Sequence, residues 1–597
     1  MASRTVYSLL EEAAAAYGDK AALYQPVSGT KGSEYNTWTW PQYRDSVKYI
    51  ACGLRAMGIA PGEIVAIGSE TRAEFYLADM AIMTNGSASA ALYVNSTQAD
   101  QIKSLRTCGA KIVFVESARY LKSLMQAGAG ELGATWILLS GPCEGIETLE
   151  DVRRRGEQAL AADPGYFERI RNTVKPEDRA ILYLTSGATG EPKMVEVSHG
   201  AVVANCDMAP AVIDIGPEDR TLAFLPSAHI AQRVGIQFIP LRMGMPVWFS
   251  EGLARMPHEF KSVKPTFFLA PPRVWERVYA TVRMEIQKMR GLQRKLAFLA
   301  LGAGAEAARY RQRGEQPPAR LRVPLKLFDK LVFSKVRERF GGKLRLAISG
   351  AAPLSKDLGL FYEAIGMPLI EGFGLTEGGI NALNPIHAPR LGTIGKPLPG
   401  VDMKITEEGE LIVKSPTNAM GYFRDPAATA QVFRNGWLYT GDLATISEDG
   451  FVTIVGRKKD MIVSSNGKKI YPSRVEALFK TQPLVAHTVL AGEQQPYITA
   501  LFTLNPVAGE LLKDMKGKPL AELAQADVVK EEIKKAVHAA NQELAPYEQI
   551  KKFRVLGTEF TVDGGELTPT MKVRTSRVLE KYKDIIAEMY VSKENLL

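Results

Sequence analysis

Short apolar runs that end in Gly, Ser or Pro and alternate with helix-like stretches constrain this chain more than any other feature. Between residues 62 and 115 the β-branched runs EIVAIGS and AKIVFVES alternate with AEFYLADMAIMTNG and QADQIKSLRTCG. That order of strand and helix builds a layered α/β sheet. After residue 178 the texture returns in AILYLTSG, TLAFLPSA, PVWFSEG, PTFFLAPP and LRLAISGAAPL, which read as buried strands of a mostly parallel sheet. Residues 392–455 change to Gly- and Pro-punctuated strands (VDMKIT, GELIVKS, FVTIVG), the mark of a small β-rich subdomain. A charged turn after Arg457 leads into a tail mixing strands such as YITALFTL with helices such as DVVKEEIKKAVHAANQEL. The expected architecture is α/β: a large N-terminal domain, 1–458, of stacked α/β subdomains plus the β-rich one, then a small α+β domain, 459–597.

Apolar residues at 46% and charged residues at 23% exclude a largely disordered or collagen-like chain. The first residues lack the basic flank and continuous apolar stretch of a signal peptide, and no window of about 20 residues is free of charges and breakers. Four widely spaced cysteines without a CxxC pair suit reduced thiols in a cytosolic protein, and the six histidines never fall at metal-ligand spacing. Net charge is +9, but residues 283–343 hold 16 Lys and Arg against five Asp and Glu, an excess larger than that of the whole chain. The stretch reads as two amphipathic helices, LQRKLAFLAL and PLKLFDKLVFSKVRERF, flanking the loop RYRQRGEQPPARLRVP. A solvated helical insertion and reversible attachment to anionic lipid heads both suit it. Nucleic acid comes last, because stacking aromatics are not interleaved with the cations.

The densest chemistry lies in residues 181–199, ILYLTSGATGEPKMVEVSH. A buried strand delivers Thr185, Ser186, Gly187, Ala188, Thr189, Gly190, Glu191, Pro192 and Lys193 into a loop. There, backbone N–H groups and hydroxyls can surround phosphate oxygens and a lysine can neutralise them. The GxxxxGK[ST] loop is excluded, since Lys193 follows Pro192 and no Ser or Thr comes next. This run closely resembles the signature loop of the adenylate-forming superfamily of acyl-CoA synthetases, adenylation domains and beetle luciferases. Two positions depart from that pattern: Ala188 stands where Thr or Ser is usual, and Met194 where Gly is usual. Loss of the hydroxyl weakens one phosphate contact and leaves the backbone cradle, so it bears on rate more than on reaction.

The superfamily's other motifs follow in order. SGAAPLS, residues 349–355, resembles the adenine-contacting turn, where Gly350, Ala351 and Ala352 let a purine lie against backbone. EGFGLTE, residues 371–377, implies nucleotide contacts from Glu371, Gly372, Phe373, Gly374 and Thr376, with Phe373 stacked on adenine and Thr376 at phosphate. By the same resemblance Glu377, with Thr185, holds Mg²⁺, a hard cation that prefers oxygen ligands. In WLYTGDLATISEDGFVTIVGRKKDMI, Asp442 can accept two hydrogen bonds from a ribose diol and Arg457 can donate to the same sugar. Lys459 matches the hinge about which the small domain turns between half-reactions. SSNGKKIYPSRVE resembles the loop lining the pantetheine channel, with Gly467 for close approach and Lys468, Lys469 and Arg474 for CoA phosphates; a solvated basic turn is the plainer reading. Lys572 in GGELTPTMKVRT matches the mobile catalytic lysine, which also contacts ATP.

Substrate class is addressed by FLPSAHIAQR, residues 224–233. Amino-acid-activating relatives supply an aspartate here for the ammonium group, whereas acyl and aryl activators commonly carry histidine, as His229 does. With the helical insertion, the chain looks most like long-chain fatty acyl-CoA synthetases over nearly its whole length. The resemblance implies ATP, Mg²⁺, a fatty acid and CoA as reactants, with Thr185, His229, Glu377 and Lys572 at the chemistry, in a cytoplasmic protein. Two other readings stay open: an acyl-AMP ligase or carrier-protein loader that does not use free CoA, and, more remotely, a non-catalytic membrane-docking protein on the same fold.

Overall fold

The computed structural model describes residues 4–30, 34–185, 193–512 and 515–592. An eight-stranded sheet runs in the order Gly421–Tyr422, Lys193–Ser198, Arg179–Thr185, Ala88–Ala91, Ile64–Gly68, Ile112–Val115, Thr135–Leu138, Glu147–Thr148. It is parallel from Arg179–Thr185 onward and antiparallel at the Lys193–Ser198 edge. Every residue of Ile64–Gly68 is buried; Val65 and Ile67 join one apolar cluster and Ile64 and Ala66 another, so both faces of the sheet are covered. That is why these strands read as unbroken apolar runs instead of alternating ones.

The five runs after residue 178 do not share a sheet. AILYLTSG enters the eight-stranded sheet, TLAFLPSA and PVWFSEG a four-stranded one, and PTFFLAPP and LRLAISGAAPL a five-stranded one. Burial shapes each run's composition in the same way, whereas the neighbour each strand pairs with is chosen by chain segments far away in sequence. In the five-stranded sheet Phe267–Ala270, Leu346–Ser349 and Leu369–Leu375 are parallel, and Gly379–Leu383 returns antiparallel. The β-rich subdomain pairs Asp402–Ile405, Glu410–Lys414, Trp437–Ile446 and Phe433–Arg434, with Val452–Arg457 alongside.

Beyond residue 461 the apolar clusters draw only on the C-terminal part of the chain, around the sheet Val485–Ala491, Ile498–Leu504 and Ile550–Leu556. The basic insertion is more helical than its sequence suggests: Gly291–Gln312 and Ala319–Phe328 are helices, the second running on through a π-turn, Asp329–Phe333, into Ser334–Arg337. The expected loop shrinks to residues 313–318, because the Ala and Arg residues flanking it are strong helix formers and only Gly314, with φ +73°, and the Pro pair break the helix. No helix of the described residues is long and apolar enough to cross a membrane.

Candidate active site

Two sequence motifs meet at the carboxyl ends of adjacent parallel strands, the edge where open α/β sheets bind ligands. Leu346–Ser349 pairs with Leu369–Leu375 so that Ser349 lies opposite Glu371. The turn after Ser349 places Ala351 in the left-handed region, φ +68°, and a Cβ on Gly350 would lie 3.5 Å from the Gly372 carbonyl oxygen, so turn and strand touch. Glu371 sits beneath this turn and its Oε1 accepts a hydrogen bond from the Leu354 amide at 3.0 Å. Burial, opposed only by that one donor, pushes the Glu371 carboxyl up to about 8. Ser355 then caps the helix Lys356–Ala364 by accepting from the Leu358 amide, which fixes the exit of the turn. Phe373 and Thr376 are half-buried and Gly374 is exposed along the same edge, with Gly372 between Glu371 and Phe373.

Glu377 accepts a 2.9 Å hydrogen bond from the Tyr422 hydroxyl, and the ammonium of Lys193 lies 4.9 Å from the centre of the Tyr422 ring. Thr185 and Lys193 face each other across the first and second strands of the signature hairpin. Ser186, Gly187, Thr189 and Gly190, with Ala188, lie outside the described residues, as does the side chain of Thr185. Met194 points into the apolar cluster on one face of the eight-stranded sheet, so this departure from the superfamily pattern is a core residue. Tyr422 belongs to no recognised motif. In sequence it is an aromatic in an ordinary turn, and only its pairing with Val195 carries it to Glu377.

Asp442 and Arg457 are directly opposed across antiparallel strands, and Arg457 Nε donates to Asp442 Oδ1 at 3.0 Å. Burial raises the Asp442 carboxyl, against the attraction of Arg457 and Lys572. Lys572 stands at the tip of a tight turn: its amide donates to Thr568 Oγ1 at 3.0 Å, its carbonyl accepts from the Thr568 amide at 2.8 Å, and Met571 takes φ +63°. Asn95 Nδ2 donates to the Pro569 carbonyl at 2.7 Å and anchors this C-terminal turn on the large domain. Lys572 is exposed, and its ammonium stands near Arg457, Asp442 and Glu377. Partial desolvation by the surrounding protein, followed by repulsion from Arg457, lowers its ammonium to about 8 against the pull of Asp442 and Glu377.

His229 faces the same lysine. Burial and then Lys572 lower its pKa to about 3, so the imidazole is neutral at physiological pH. Its Nδ1 accepts from the Ala231 amide at 3.2 Å, which puts the remaining proton on Nε2. The structure thus gathers Lys193, Glu377, Tyr422, Asp442, Arg457, Lys572 and His229 around one cleft. It does not bring Gly467, Lys468, Lys469 or Arg474 there. Arg474 pairs with buried Glu548 at 3.0 Å, Lys468 lies over the Tyr547 ring, Lys469 is exposed, and Gly467 sits in an open turn with φ +71°. Lys459 is exposed within the short helical turn Lys458–Asp460, just ahead of the strand Ile462–Val463.

The sequence profile of the AMP-binding enzyme family matches residues 10–423, and that of the AMP-binding enzyme C-terminal domain matches residues 459–594. The chain belongs to the AMP-binding enzyme family. This AMP-binding enzyme is 34% identical over 565 residues to the long-chain-fatty-acid–CoA ligase FadD15 of Mycobacterium tuberculosis, with 92% of each chain covered. It is 26% identical to the long-chain-fatty-acid–CoA ligase ACSBG2 of Rattus norvegicus, over 98% of this chain and 93% of the other. Among solved structures, it shares its fold with ATP-bound MatB from Rhodopseudomonas palustris (TM-score 0.71, 20% identity, 98% of this chain and 100% of that one). It also shares it with the anthranilate CoA ligase AuaEII in complex with anthranoyl-AMP (TM-score 0.73, 19% identity, 98% of both chains).

Proposed function

We propose that this AMP-binding enzyme converts a long-chain fatty acid and ATP to acyl-AMP and pyrophosphate, then transfers the acyl group to CoA with release of AMP. The observation that carries the reading is Lys572, delivered from the C-terminal domain to the cleft that holds Asp442, Arg457 and Glu377. The long-chain relatives supply the substrate class.

In the first half-reaction a carboxylate oxygen of the acid attacks the α-phosphorus and the bond to pyrophosphate breaks. Negative charge grows on phosphoryl oxygens, so a cation already fixed at the cleft lowers the barrier more than it aids ground-state binding. Lys572 is that cation. Asp442 and Arg457 hold the ribose, Phe373 and the turn at Gly350, Ala351 and Ala352 receive adenine, and Lys193 with the signature loop holds the outer phosphates. His229, neutral and carrying its proton on Nε2, offers a hydrogen bond without a competing positive charge. Glu377, with Thr185, would hold Mg²⁺: among the described residues no cluster of three acidic, His or Cys side chains forms a protein cage, and one carboxylate plus substrate phosphates suits this ion. Bound there, Mg²⁺ supplies charge neutralisation at the phosphates.

In the second half-reaction the domain 459–597 turns about Lys459 relative to 1–458, withdrawing Lys572 and presenting Gly467, Lys468, Lys469 and Arg474 to CoA. The thiolate then attacks the acyl carbonyl and AMP leaves. The same reading places the reaction in the cytoplasm, with a poorly water-soluble substrate met at a lipid surface. The test is purified protein with ATP, Mg²⁺ and acids from acetate to oleate, with and without CoA, followed by mass. Thioester peaking at long chains is expected. Acyl-AMP that accumulates unchanged by CoA would move the acceptor to a carrier-protein thiol, and no turnover on any acid would overturn the assignment.

A further inference from the structure

Large apolar side chains exposed to solvent are concentrated in one place. Among the described residues, seven of the fifteen lie between residues 289 and 331, within the basic insertion. Leu292 is 80% exposed and Leu299 66%, two helical turns apart on Gly291–Gln312. Val323, Leu327 and Leu331, 72%, 55% and 39% exposed, follow at four-residue spacing along Ala319–Phe328 and the π-turn after it. Arg322, Lys326 and Lys330 precede each of these by one position, and Arg294 and Lys295 follow Leu292. The two helices touch one another.

The charge pairing of the insertion sharpens this pattern. Four of its five acids are engaged elsewhere: Glu285 with Arg339, Glu306 with Arg320, Glu315 with Arg313 and Asp329 with Arg337. Arg294, Lys295, Arg322, Lys326 and Lys330 have no ion pair among the described residues. The exposed apolar stripes are thus flanked by uncompensated cations, Arg294 and Lys295 on one helix and Arg322, Lys326 and Lys330 along the other.

We propose that this helical pair is an interfacial docking surface for anionic lipid bilayers, with Leu292, Leu299, Val323, Leu327 and Leu331 entering the acyl boundary and the unpaired cations at the headgroup phosphates. Apolar side chains between cations match both layers of such an interface at once. A second copy of the chain fits less well, since a two-fold contact would press like cations together. Nucleic acid would call for aromatic stacking platforms where this surface offers aliphatic side chains. Docking rests on the exposed residues alone; its benefit to catalysis, uptake of acid from the bilayer, rests on the fatty-acyl reading above.

The experiment is co-sedimentation of the full chain with phosphatidylcholine vesicles, with and without phosphatidylglycerol, run beside size measurement in solution. Binding only to the anionic vesicles, weakened by salt, is expected. The triple variant Arg322→Gln, Lys326→Gln, Lys330→Gln should lose about a hundredfold in partitioning, at roughly fivefold per cation. Val323→Ser with Leu327→Ser should lose at least about tenfold, since each buried aliphatic side chain contributes that much or more. Both variants should keep wild-type turnover of water-soluble octanoate and lose the stimulation that anionic vesicles give with vesicle-borne oleate. Equal binding to neutral and anionic vesicles, or binding unchanged in either variant, would overturn the proposal. So would a wild-type dimer that the serine variant dissolves without any vesicle binding. Vesicle binding by a protein that forms no acyl-CoA would leave docking intact and remove the fatty-acyl reading instead.

Discussion

Two aspartate–arginine pairs in the large domain are chemically alike and placed at opposite extremes. Asp79 and Arg233 are both fully buried; Arg233 also bonds Ser89 Oγ at 2.8 Å, and Gln237 Nε2 donates to Asp79 Oδ2 at 2.9 Å. The guanidinium lies over the rings of Phe75 and Tyr183. Asp442 is 6% exposed but its partner Arg457 is 47% exposed, at the rim of the cleft. A pair sealed on all sides holds structure, because no ligand arriving from solvent can reach either member. A pair with one open side can turn its remaining hydrogen-bonding capacity toward a ligand. Exposure of one partner therefore separates a structural pair from a binding pair.

The largest effect should come from breaking the sealed pair. Asp79→Leu leaves a buried unpaired guanidinium and should destabilise the fold by ~3–5 kcal/mol, read as a lower urea midpoint. Adding Arg233→Met should restore most of that loss; a double variant as unstable as the single one would show that the surrounding amides and rings, more than the pair, hold this region. Next is Lys572→Ala, which removes one transition-state cation and should slow ATP–pyrophosphate exchange by about 10²–10³. Thioester formation from supplied acyl-AMP should persist, and equal loss in both half-reactions would defeat the division of labour between domain orientations. Because the Lys572 ammonium is lowered to about 8, adenylation kcat/KM should also fall as pH rises through that value.

Asp442→Asn tests the open pair directly. It should raise the KM for ATP by about tenfold, the worth of one charge-assisted hydrogen bond, while the unfolding free energy from urea titration stays within about 1 kcal/mol of wild type. Unfolding comparable to that of Asp79→Leu would erase the distinction between the two pairs. The last test concerns Glu371 and reads a slope of stability with pH. Its carboxyl is raised to about 8 in the folded protein, so the folded state binds the proton more tightly than the unfolded one. Stability therefore declines between the usual carboxylate range and pH 8, by on the order of a few kcal/mol at most. Glu371→Gln keeps an oxygen for the Leu354 amide and should flatten this slope in thermal melts from pH 5 to 8.

Much of the cleft was legible because its residues sit in short motifs whose spacing is local. Ser349 to Ser355 and Glu371 to Glu377 end neighbouring strands, and Asp442 and Arg457 end up cross-strand partners only 15 residues apart. The α/β class was legible too, since burial on both faces gives strands a continuous apolar texture. Tyr422 was not, because nothing local distinguishes it and its meeting with Glu377 depends on edge pairing with a strand more than 200 residues earlier. Arg233 stands inside the segment that pointed to His229, yet its partner Asp79 lies 154 residues away on another helix.

The sequence by itself determined the strand texture, the ordered motifs, the helical and basic character of residues 283–343 and the place of Lys572 in the run GGELTPTMKVRT, all properties of contiguous residues. Tertiary structure decided which of three sheets each strand joins, that Glu371 lies buried beneath the nucleotide turn, and which of the insertion's cations remain unpaired beside exposed leucines. It also decided that the C-terminal lysine reaches a cleft built far upstream. The physical reason is common to all four. Each depends on which distant surfaces exclude water from one another, and that is a property of packing which no local pattern carries.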